Sequence, residues 1–181
     1  MLTLYIVISG VLLRLLPHLP NFAPISAIGL FSGSHLDRRL GVVLPIIIII
    51  ISDYLLLYIN PFGTQILNFN QVQPITALFH STTVYVWGSF IISGLIGVWL
   101  KSYLQPSNIT GASLLASIQF YLITNFGVWA TGSYSRGLDG LLESYLMGLP
   151  FFRWTLLGDL FYCGAFFISY ALAKRIQHQL A

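Results

Sequence analysis

Charge is scarce in this sequence: 181 residues carry eight Lys or Arg and five Asp or Glu, 7% of the chain. Soluble domains use about 25% charged residues to present a hydrated surface, so that class is excluded. Cysteine is nearly absent as well. Its single copy, Cys163, lies in an apolar segment, which rules out a disulfide framework and a cysteine-based metal cluster. The signatures of catalysis are missing too: there is no GxSG nucleophile motif, no HExxH helix, no Walker sequence and no carboxylate pair within an apolar helix. Neither an enzyme nor a cofactor or metal is expected. The net charge of +3 does not point to nucleic acid, because the basic residues stand at the ends of apolar segments, where they set membrane topology.

What is present is apolar length. Hydrophobic residues make up 56% of the chain and the mean hydropathy is +0.82. A bilayer core of roughly 30 Å takes about 20 apolar residues per helical crossing, so the length accommodates about six spans and no separate soluble domain. The expected fold class is an all-α membrane protein, residues 1–181 forming one integral membrane domain with six transmembrane helices.

Met1 to Leu16 lacks the basic start and cleavage site of a signal peptide and reads as a retained first helix, closed by Pro17-His-Leu-Pro20. A short second helix over 24–36 places Gly29 and Gly33 four apart on one face. Leu40 to Ile59, with six consecutive isoleucines before Asp53, is read as the third, and residues 60–75 as a polar, uncharged loop. The fourth is expected over 75–100, carrying Ser89, Ser93 and Gly97, another small-residue face for packing against a partner helix. The fifth is expected over 112–130, a polar loop over 132–150 and the sixth helix over 151–173. No internal repeat is visible, so an inverted-repeat transporter is not indicated.

Lys and Arg counts orient this bundle with both termini cytoplasmic. Arg38, Arg39, Lys101, Lys174 and Arg175 then lie inside, and Arg14, Arg136 and Arg153 outside. Asn125 to Asp159 holds five of the thirteen charged residues and forms an outer rim. Asp53, Asn125 and Asp159 fall in the outer part of the membrane, where an ionisable group costs at least about 2.5 kcal/mol unless it is paired or lines a cavity. Arg14, Asn125, Trp129, Arg153 and Asp159 accordingly read as a pocket for a small polar or anionic solute with a flat portion, the arginines facing a carboxylate or phosphate. A plainer reading stands beside it, in which Arg14 pairs with Asp53 or Asp159 to lock helix ends, and Trp129 belongs to an interfacial aromatic belt. His18 and His80 have no helical histidine partner for a metal.

The six-helix layout, the proline-rich link after helix one and the polar outer ends resemble the substrate-binding S component of energy-coupling factor (ECF) uptake transporters. The segments 14–33 and 125–159 are also similar to an uncharacterised family of bacterial membrane proteins described as putative transport proteins. The resemblance implies a bacterial inner-membrane subunit whose gate over Pro17 to Asn21, with His18 and Asn21, closes a pocket containing Asn125, Trp129 and Asp159. Its implied partners are the lipid bilayer, a small-molecule solute, a transmembrane coupling protein and two ATPase subunits. Helix one departs from the family's Ala-x-x-x-Ala docking pattern, having only Ser9 and Gly10 as small residues in its later half. A scaffold subunit of a cell-envelope assembly complex and a solitary carrier or channel are the alternatives.

The charge asymmetry predicts that a reporter fused after Ala181 is active only in its cytoplasmic form. A reporter active outside would reverse the orientation.

Overall fold

The computed structural model describes residues 2–16, 19–59 and 74–180. Pro17, His18 and nearly all of the 60–75 loop lie outside them. Six α-helices follow in order: α1 Leu2–Leu15, α2 Ile25–His35, α3 Arg38–Leu56, α4 Thr83–Leu100, α5 Pro106–Ala130 and α6 Leu138–Leu180, with a 3-10 turn at Ile75–Leu78 before α4. No β-strand occurs among the described residues. Four helices, α3 to α6, are long and apolar enough to cross a membrane, and the described residues form an all-α fold.

The bundle is assembled around α2. Every residue from Ile25 to Ser34 is buried, although the helix has only 11 residues and no apolar stripe. A helix buried on all sides needs no amphipathic pattern. Its approach to α4 brings backbone against backbone: a Cβ on Gly33 would lie 2.8 Å from the Val98 nitrogen, and one on Gly97 would lie 2.8 Å from the Gly29 carbonyl oxygen. Gly41 of α3 extends the contact, since a Cβ there would lie 2.8 Å from the Gly33 Cα. The other side of α2 packs aromatics. Phe31 meets Phe167 edge-on at 5.3 Å and Tyr170 at 5.5 Å, and stacks on His35 at 4.3 Å. Asp37 ends the turn that follows by accepting the Arg39 and Leu40 N–H groups, which caps α3.

Several boundaries differ from those the sequence predicts: α5 starts at Pro106 rather than 112, α6 continues past 173 to Leu180, and two further differences change the fold. Residues 75–100 do not form one helix, because Thr83 holds a break open. Its hydroxyl accepts the His80 N–H at 2.9 Å and donates to the Leu78 carbonyl at 3.0 Å. In the opposite sense, 138–150 is helix and not loop, so α6 runs 43 residues with Pro150 inside it. Tertiary contacts with α5 hold this extension: Tyr121 donates to the Tyr145 carbonyl at 2.6 Å, Tyr145 to the Leu122 carbonyl at 3.0 Å and Ser144 to the Asn125 carbonyl at 2.7 Å. They outweigh the one hydrogen bond that a proline removes. Asp139 and Glu143 therefore sit on the first turns of a helix.

Gly33→Leu is expected to destabilise the purified protein by at least about 3 kcal/mol, since the side chain would enter backbone that cannot retreat. Gly111→Leu is the control, because nothing lies within 4 Å of a Cβ at that position. Equal melting temperatures for the two variants would sink this account of the α2–α4 contact.

Candidate functional site

Helices α3, α4 and α5 continue past the first turn of α2, and the space left above that turn is a cavity of about 520 Å³. Binding sites for small organic solutes fall in the range of about 300–1,000 Å³. Ile25 and Ser26 of α2 line its base together with Asp159 of α6. Phe90 of α4 and Phe120 of α5 supply an aromatic wall, their centroids 5.1 Å apart. Arg14 and Asp53 line it from α1 and α3, and Ala77, Leu78 and His80 from the 3-10 turn and the break after it. Asn21 holds its backbone in the left-handed region at φ 64° and also lines this space.

Three polar groups define the chemistry of this cavity. The Arg14 guanidinium donates to the Asp53 carboxylate and to the Ser52 hydroxyl, with side chains 13% and 26% exposed for the ion pair. Of the pairings open to Arg14 in the sequence, the one with Asp53 is adopted. Asp159 is 1% exposed and accepts the Ser117 hydroxyl at 2.7 Å. Ser26 of α2 lies beside it as well. No cationic side chain reaches Asp159 among the described residues. Around Asn21, Phe120 and Thr155 the wall is shared with a smaller cavity of about 190 Å³, which Asn125 lines. The Asn125 amide donates to the Tyr121 carbonyl at 2.8 Å, within α5.

Three residues expected in the pocket stand outside the lining of the larger cavity: Asn125, which lines only the smaller one, Arg153 and Trp129. Thr155 and Asp159 are four apart and share the face of α6 that meets the cavity, whereas Arg153 lies about 200° around the helix from Thr155. It is exposed, its guanidinium 5.1 Å from the Trp154 ring centroid. Trp129 is one turn beyond Asn125 and packs on Phe126 at 5.4 Å, with its indole nitrogen buried and without a hydrogen-bond partner. His18 is outside the described residues. The small residues pack within the chain: Gly29 and Gly33 against α4, and Ser89 and Ser93 against Gln119 of α5, whose amide donates to the Ser89 carbonyl at 3.0 Å and the Ser93 hydroxyl at 3.2 Å.

Ser26, Ser52 and Ser117 were not among the residues predicted for the site, nor were Phe90 and Phe120. Ser52 was legible as the neighbour of Asp53. Ser117 carries no local signal, since it meets Asp159 only through the packing of α5 on α6.

The chain belongs to a family described as "Family of unknown function (DUF6580)", whose pattern matches residues 1–180. No curated protein and no solved structure matches it.

Asp53→Asn is expected to destabilise the fold by about 2 kcal/mol, between the near-zero value of exposed pairs and the 3–5 kcal/mol of fully buried ones, because it leaves Arg14 half-buried without its counter-charge. Combining it with Arg14→Gln should recover most of that loss in thermal unfolding. A double variant less stable than Asp53→Asn would mean that the guanidinium has a different partner.

Proposed function

We propose that the chain is the substrate-binding membrane subunit of an ECF-type uptake transporter, capturing a small solute in a pocket open to the outside. The observation that carries this reading is the cavity above α2, a half-open volume of solute size with a buried carboxyl at its base. Its position along the helices supports the direction of uptake. Arg38 and Arg39 open α3, Lys101 closes α4 and donates to the Leu36 carbonyl at 2.8 Å, and Lys174 and Arg175 follow Tyr170, which packs on His35. These cations gather at the end of the bundle away from the cavity, so the positive-inside rule turns the cavity outward.

Solute capture alone does not move a solute, and this sequence has no nucleotide-binding motif, so the energy has to come from partner subunits. A scaffold role drew its support from the small-residue faces, and those of α2 and α4 are used inside the chain. A coupling protein would meet lipid-facing surfaces such as that of α3, where Val43, Ile47 and Ile51 are exposed.

Isolating the tagged chain from its native membrane in mild detergent is expected to bring down a transmembrane coupling protein and an ATPase pair. Recovery with cell-wall assembly proteins and no ATPase would overturn the transport reading.

A further inference from the structure

The sign of the charges around the cavity narrows the class of solute. Arg14 is the only Lys or Arg among the described lining residues, and Asp53 and Ser52 already engage its guanidinium. An incoming carboxylate or phosphate would therefore have to break that ion pair or remain without a cation. It would also meet two carboxyl groups, of Asp53 and Asp159. Asp159 has a hydroxyl donor from Ser117, Ser26 beside it, and no cationic partner among the described residues. The nearest positive potential is the start of α2, equivalent to about half an elementary charge. No Lys or Arg among the described lining residues is free to meet an anion.

The apolar wall works in the same direction. The Phe90 and Phe120 rings offer faces with negative electrostatic potential, which attract a cation or the positive edge of another ring and repel an anion. Asp159, at the base beside this wall, can accept a bond from a donor group.

We propose, on the basis of the solute-binding reading above, that the cavity takes a hydrogen-bond-donating solute with a flat apolar portion, neutral or singly cationic, and rejects carboxylates and phosphates. Asp159 accepts the donor group of this solute, and Phe90 and Phe120 hold its flat portion. Arg14 shapes the cavity through Asp53 and does not serve as an anion receptor.

Tryptamine, tryptophol and indole-3-acetate share one ring and differ in the terminal group, which makes them matched probes. Titration calorimetry on the purified full chain in lipid nanodiscs is expected to show binding of tryptamine and tryptophol, with indole-3-acetate weaker by about tenfold or more, the size of one charge-assisted hydrogen bond. Asp159→Asn should lower the affinity for tryptamine by about tenfold and leave tryptophol nearly unchanged, since the amide still accepts but no longer carries charge. Phe120→Ala should weaken both. Indole-3-acetate binding as tightly as tryptamine in the unmodified protein would overturn the inference, as would binding of none of the probes. Neither result touches the subunit assignment, which stands or falls on whether the ATPase pair is isolated with the chain.

Discussion

The close approach of α2 to α4 is the constraint on which the rest of the structure depends. At 1.5 Å per residue α2 is roughly 16 Å long, about half a bilayer core, while α3 to α6 run from roughly 27 Å upward. A short helix can occupy the centre of such a bundle only if its neighbours close directly on its backbone, and Gly33 and Gly97 permit this. Space is left where α2 stops. The cavity is therefore a consequence of helix length: α3, α4 and α5 stand around a void whose base is the first turn of α2.

This geometry explains where polarity is tolerated. The first turn of α2 has no side-chain cap, and Asp159 lies against Ser26 within it. The positive end of a helix lowers the cost of a carboxyl that no cation meets. Arg14 and Asp53 face the same space from α1 and α3, and their partial exposure leaves them better solvated than groups facing lipid would be. On the face of α2 turned toward α6, away from the close approach to α4, the contacts are aromatic, through Phe31, Phe166, Phe167 and Tyr170.

The features legible in the sequence were those set by local rules. Long apolar runs identified α3 to α6, and small residues four apart identified the close packing of α2, because both depend on spacing along one chain. Asp53 and Asp159 were recognisable as costly wherever they faced. The helical extension over 138–150 was hidden, since it rests on Tyr121, Tyr145 and Ser144 meeting across two helices and overrides the glycines and proline that suggest a loop. Arg153 was drawn into the pocket by its nearness to Asp159 in sequence, but helical phase turns it away. The aromatic wall was equally obscure, because Phe90 and Phe120 are two phenylalanines among thirteen.

Stability alone does not account for this set of polar groups. A half-buried ion pair is worth little against an apolar pair of the same volume, and a buried carboxyl held only by hydroxyls is worth less, because it brings desolvation without a counter-charge. If α2 only needed a packed end, leucine at 159 with apolar partners at 26 and 117 would fill that place at lower cost. The serines at both positions suit a carboxyl that has to stay in place beside the cavity that it lines. A purely structural role would also predict that this volume is filled, since packing at the end of α2 is what such a role requires. The void and the carboxyl at its base therefore call for a common explanation, and an occupant that donates to Asp159 supplies one.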